Sequence, residues 1–436
     1  MCCRILVALL FASTLALTQT PPGDDGFVLR GATVHTISGP VIENGSVLVR
    51  SGKIVAVGKG LAAPKGYKTI DIQGKHVYPG MIDSASMLGL EKASADMASD
   101  ANEMGLLNPQ LRAASAVNPA SEQIAISRAN GVTSVVEMPE GVLLAGQMSL
   151  IHLDGSSSAA MMASPAAIHL RFPAIVTVPI PPHEADDDDD DPAASVSVEP
   201  VPYSQAKRIR DENLGALNSF FDEARRYRRA KIASANTFRE DLKYEALLPV
   251  LEGSMPLFVT AVREREIRDA IEFADHQKIK IILADAYEAY KVLPLLKSHK
   301  ISVVLGPTRS LPLNEDDSED RSFTTPGELH KAGIKFAIAT FSATRSRNLP
   351  YQAATAVPFG LPADEAYKAV SLSAAEIFGA GKRLGSIDEG KMADLIVTDG
   401  DPLDVRTHVT MVFIAGKPVD PDGRTKELVE KYRDRQ

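Results

Sequence analysis

Tryptophan is absent from this 436-residue chain, and cysteine occurs only at Cys2 and Cys3. Both cysteines precede an apolar stretch, Ile5 to Leu17, which follows Arg4 and gives way to the polar run Thr18 to Pro22. A basic residue, a short apolar core and a polar exit form the pattern of a secretory signal, and the apolar core is too short to span a bilayer. Residues 1–20 are therefore expected to be a cleaved signal peptide, and the mature protein secreted or periplasmic. The cysteines lie ahead of the apolar core, where a lipoprotein cysteine would not sit. Cleavage removes both, which excludes disulfides, a thiol nucleophile and thiolate metal ligands. No other stretch is long and apolar enough for a membrane span. Positive charge is not in surplus either: 47 Lys and Arg stand against 56 Asp and Glu, a net charge of -9 that argues against a nucleic-acid partner. Also missing are a P-loop, a Gly-x-Ser-x-Gly elbow and a His-Glu-x-x-His helix; Asp154-Gly155-Ser156-Ser157-Ser158 reads as a turn rather than a phosphate loop.

What is present is an ordinary globular composition, 44% hydrophobic and 24% charged, in a chain long enough for a large α/β domain and a smaller companion. Phe27 to Tyr78 reads as short strands separated by turns, with Ser51-Gly52 placed as a hairpin loop. From Pro79 the pattern changes to strand and helix in turn. Helices are expected over 122–130, 206–229 and 238–251, the second with Leu214, Leu217, Phe221 and Ala224 on one face. Strands at 256–261, 280–285, 301–306 and 335–340 alternate with further helices, the first of which carries Ile267, Ala270, Ile271 and Ala274 on one side. Such an order implies a parallel sheet closed by helices. One insert, 173–202, is Pro-rich and contains the six aspartates Asp186 to Asp191; it reads as a solvated acidic loop, since calcium ligands are spaced and need a turn glycine.

Two stretches carry a resemblance. Val77-Tyr78-Pro79-Gly80-Met81-Ile82-Asp83 is similar to the first barrel strand of the amidohydrolase superfamily, in its imidazolonepropionase-like branch. The run from Arg383 to Val397 resembles the segment with which that family closes its barrel. The resemblance implies a TIM-like (β/α)8 barrel over 79–382. It also implies a small composite β-sandwich built from N- and C-terminal strands, 24–78 and 383–422, with a helical tail over 423–436. The family activity is hydrolysis of non-peptide carbon–nitrogen bonds at a dinuclear metal centre. Its strand-one histidines correspond here to Ala85 and Met87, its fifth-strand histidine to Thr260, its sixth-strand histidine to Asp285, and its eighth-strand aspartate to Phe341. The position of the bridging ligand is left open by the insert.

Alanine, phenylalanine and a thioether do not suit a hydrolytic zinc ion. The metal centre is therefore expected to be degenerate, with no cofactor, and Zn or another divalent metal enters only if the site is rearranged. A paired His152/His169 site is a minor reading beside histidines bonded to backbone. Asp83, Glu137, Asp285, Arg263 and Arg345 are all assigned to the C-terminal end of the barrel. There they form either a site for a small polar molecule, arginine clamping carboxylate, or a self-satisfied ion-pair network. The first functional reading is an exported, non-catalytic or ligand-binding barrel. The alternative is an active hydrolase of cyclic amide-type bonds, with Asp285 and Glu137 as catalytic candidates and His169 as a further ligand-binding residue.

Overall fold

A computed structural model describes residues 26–90, 105–177, 200–233, 238–421 and 423–433. The segment expected to be a signal peptide and the aspartate run of the insert, with His183, lie outside the described residues.

The N-terminal strands are β1 (Gly26–Val34), β2 (Ile42–Arg50), β3 (Lys53–Lys59), β4 (Lys68–Asp71) and β5 (His76–Pro79). Ser51 and Gly52 join β2 to β3 with φ of 48° and 75°, the left-handed pair that matches the twist of a tight hairpin. Eight strands follow: β6 (Met81–Ser86), β7 (Val132–Glu137), β8 (Leu144–His152), β9 (Met162–Arg171), β10 (Leu257–Ala261), β11 (Ile281–Asp285), β12 (Ser302–Leu305) and β13 (Phe336–Ile338). The chain then returns through β14 (Leu395–Thr398), β15 (Val409–Ile414) and β16 (Lys417–Val419). β14 lies antiparallel to β5, with Leu395 opposite Pro79 and Thr398 opposite His76, so the two termini share one eight-stranded composite sheet.

β6 to β13 form the second sheet in sequence order. Its ends meet through Phe341, whose N–H donates to the Ala85 carbonyl at 2.9 Å, which nearly closes a barrel. The expected parallel sheet needs one correction. β8 runs antiparallel to both β7 and β9, and the other strands are parallel. Only residues 138–143 separate β7 from β8, too few for the crossover that a parallel pair requires.

The helices pack as their apolar spacing dictates. Glu264–Gln277 buries Ile267, Ala270, Ile271 and Ala274, and its first turn is tied down by Glu266, which accepts from the N–H groups of Val262 and Arg263. The long helix Tyr203–Ala233 buries Leu217, Phe221 and Ala224, with Leu214 half-buried. The helix expected over 238–251 starts later, at Leu242, because Asp241 caps it by accepting from Lys243 N–H. The barrel interior is filled by Ile82, Val136, Met148, Phe258, Ile282 and Val304, with Phe378 packed against them. This is a solid core of the kind small barrels have, not a pore.

Candidate functional site

β10 is the fifth barrel strand and carries Thr260, β11 is the sixth and ends in Asp285, and Phe341 follows the eighth. The candidate side chains, however, fall into three separate groups.

The first group is Asp83 and Glu137. Along β7, Val136 and Met138 face the barrel interior, so Glu137 between them points to the opposite face. Asp83 likewise follows the inward Ile82 and lies opposite Val135, which belongs to the outer core layer. Both carboxyls are thus in the wall, not in the mouth. Asp83 accepts from Thr340 N–H at 3.0 Å, Thr340 Oγ1 at 2.5 Å and Ser346 Oγ at 2.8 Å, which ties the first strand to the segment after the last. Burial raises its pKa to about 6, and those hydrogen bonds hold the rise back. Glu137 is fully buried, and neither of its oxygens finds a hydrogen-bond partner among the described residues. Burial, reinforced by the Asp83 charge, lifts its pKa well above the usual carboxylate range and so favours the protonated form.

His169, Thr260 and Pro139 make the second group. His169 is buried, with Nδ1 2.7 Å from the Pro139 carbonyl and Nε2 2.9 Å from Thr260 Oγ1. The carbonyl can only accept, so Nδ1 carries the proton and Nε2 accepts from the threonine hydroxyl. Burial lowers the imidazole pKa to about 4, so the ring is neutral and both nitrogens are engaged. His152 is remote from it. His169 pairs with Gly146, six positions before His152 on β8, about 20 Å by strand rise. His152 instead lies 3.2 Å from Asp394 and 3.1 Å from Ser134. The two histidines do not form a paired site.

The third group surrounds a cavity of about 590 Å³ at the C-terminal ends of β10, β11 and β12, which Arg263, Asp285 and Tyr287 all line. Asp285 has φ of 63°, and a Cβ on the next strand's Gly306 would come within 2.5 Å of its Oδ1, so this carboxylate is seated against a glycine. Arg263 donates to Asn314 Oδ1 at 2.7 Å; Asn314 is itself fixed by two donations to Asp317 Oδ2, at 3.0 and 2.8 Å. Arg345 lies on the other side of the barrel end, its N–H donating to Ser342 Oγ at 3.2 Å, and does not line the cavity.

Of the residues that the resemblance places at the family's ligand positions, Asp285 has a ligand-type side chain, while Ala85, Met87, Thr260 and Phe341 do not suit a catalytic metal. Ala85 and Phe341 belong to the apolar interior, where the Phe341 ring stands 6.4 Å from that of Phe258. Met87 is buried in the outer core layer, and the Thr260 hydroxyl is taken by His169. Among the described residues, no group of three or more His, Cys, Asp or Glu side chains is placed to hold a metal ion. Thr340, Ser346, Asn314 and Tyr287 were not legible as site residues. Hydroxyls and amides at strand ends carry no spacing signal, and only the fold brings them to their partners.

A family model described as the amidohydrolase family matches residues 253–419. Amidohydrolase tasK of Hapsidospora irregularis is 23% identical over 412 residues, a match that takes in 85% of this chain. The chain spans only 39% of that relative's length. Among solved structures, an amidohydrolase from Thermotoga maritima MSB8 has a TM-score of 0.76 at 26% identity, covering 90% of this chain and 99% of its own. Molinate hydrolase has the same fold, with a TM-score of 0.54 at 15% identity over 92% of this chain and 96% of its own.

Proposed function

We propose that this chain, which belongs to the amidohydrolase superfamily, is an exported member that has given up the family's dinuclear metal centre and uses its barrel end to bind a small polar molecule. The observation that carries the reading is the pairing of Ala85 with Phe341 inside the apolar interior. An alanine methyl offers no donor atom. A phenylalanine ring can neither ligate a metal nor shuttle a proton from metal-bound water.

The cavity beside Asp285 supports the binding half of the proposal. Its volume of about 590 Å³ is in the range of small-molecule sites. Arg263 is oriented by Asn314 while keeping further N–H groups for an anionic partner, and Asp285 lies in the same lining for a donor group. The alternative, a hydrolase working through Asp285, Glu137 and His169, draws little support from their placement. Glu137 is turned into the wall, and His169 has both nitrogens engaged.

Turnover of cyclic amides and imides by the purified mature protein, with and without chelator, tests the proposal. The expected result is no turnover above the uncatalysed rate in either condition. Turnover that a chelator abolishes and Zn²⁺ restores would overturn it.

A further inference from the structure

The composite domain holds a cavity of about 920 Å³ that takes no part in the barrel. Its origin is a fork in the sheet. β1 pairs with β4 from Phe27 to Arg30 and with β5 only at Thr33 and Val34. β4 therefore diverges from the layer that continues through β5, β14, β15 and β16, and the gap opens between β4 and β15–β16. Phe27 and Phe413 stack beside it, ring centroids 4.8 Å apart, and Ile70, Met392 and Met411 add apolar wall. One side is sealed where two turns touch: a Cβ on Gly52 would stand 2.6 Å from the Ala415 carbonyl oxygen, and one on Gly416 2.8 Å from Gly52 Cα.

Among the described residues, the charged side chains that line this cavity are Lys53, Lys68 and Lys417, with no aspartate or glutamate in the lining itself. Some lysines elsewhere are neutralised locally: Lys207, Lys231, Lys335 and Lys391 each hold a carboxylate. In a chain of net charge -9, a lining that carries three lysines on an apolar floor stands out. Lysine stems lie along apolar surface while their ammonium groups stay in water, so the cavity combines an apolar lining with a cationic rim.

We propose that this cavity binds a single-chain amphiphile with an anionic head, a soluble medium- or long-chain carboxylate. The alkyl chain lies against Phe27, Phe413 and Met411, and the carboxylate is met by Lys53, Lys68 and Lys417. The site is independent of the barrel and of what the barrel binds.

The absence of tryptophan makes a direct test available. In the full mature chain, Met411→Trp places a single tryptophan in the cavity lining, and titration calorimetry on the unmodified protein supplies a second readout. Sodium decanoate, kept below its micelle concentration, is expected to shift the tryptophan emission to the blue and to bind with saturation at one equivalent. 1-Decanol, which has the same tail and no charge, is expected to bind at least tenfold more weakly. Reversing all three lysines (Lys53→Glu, Lys68→Glu, Lys417→Glu) is expected to weaken decanoate binding at least tenfold with the thermal midpoint held within a few degrees. Absence of saturable binding by calorimetry, equal affinity for decanol, or undiminished binding in the reversed variant would each overturn the proposal. So would a response seen only with phosphatidylglycerol vesicles, which would make the lysines a membrane-surface patch.

Discussion

The two sides of the barrel's C-terminal end treat their charged groups in opposite ways. At β6, β7 and the segment after β13, Asp83 and Glu137 are turned into the wall, one held by Thr340 and Ser346 and the other without a hydrogen-bond partner among the described residues. At β10, β11 and β12, Arg263 and Asp285 line an open cavity, and the arginine is oriented by a neutral amide. A carboxyl in the wall adds to or subtracts from stability and touches no ligand. A charged group at the cavity is exposed to exchange with solvent and costs the fold little. The comparison separates residues that hold the barrel shut from residues that line a cavity.

Substitutions on each side should break this symmetry in order of size. Asp83→Ala strips the acceptor from three buried donors and should cost about 3 kcal/mol in urea unfolding. Glu137→Met should act in the other direction, stabilising the protein by about 1–2 kcal/mol at pH 8, because it removes a buried polar group that has no partner among the described residues. The pH profile sharpens this. Asp83 rises from 3.8 to about 6 on folding, and Glu137 rises well above 4.5, so the folded state binds more protons than the unfolded one. Stability is then greatest below about pH 4 as far as these two groups decide it. It falls as pH climbs from there through 6 for Asp83, and Glu137 adds a further loss above its own unfolded pKa. In Glu137→Met the Glu137 share of this loss should disappear, a result read from unfolding midpoints across pH.

Thr260→Val removes the donor to His169 Nε2 and should cost about 1 kcal/mol. It also leaves a lone pair open to protonation, so the His169 pKa should rise from about 4, followed by ring-proton NMR. Arg263→Ala on the cavity side should change stability by no more than about 0.5 kcal/mol, within the scatter of exposed sites, while abolishing binding of any anionic ligand found for the cavity. A loss of several kcal/mol from Arg263→Ala would erase the distinction between wall and cavity.

Much of the fold was legible because both ends of the barrel carry specific motifs. Val77 to Asp83 becomes the end of β5 and the start of β6, and the run ending at Val397 delivers β14 onto β5. The reversal of β8 escaped because alternation of side chains does not encode strand direction; the short link 138–143 was the available clue. The facing of Asp83 and Glu137 escaped for a related reason. Their strands are buried on both faces, so every position of Val132–Glu137 is buried and period two carries no inside-outside contrast. Being at the correct end of a strand told nothing of which side of the wall a carboxyl takes. The proximity of Arg263 to Asp285 followed more readily, since both end adjacent strands of the same parallel sheet.

The most direct test of the proposed loss of the metal centre is elemental analysis of the purified protein after growth with added Zn²⁺, Mn²⁺ and Fe²⁺ and exhaustive dialysis. The account predicts a folded protein with far less than one equivalent of any of the three. One or more equivalents of a metal that survives dialysis would contradict it and return Asp285 and its neighbours to the role of ligands.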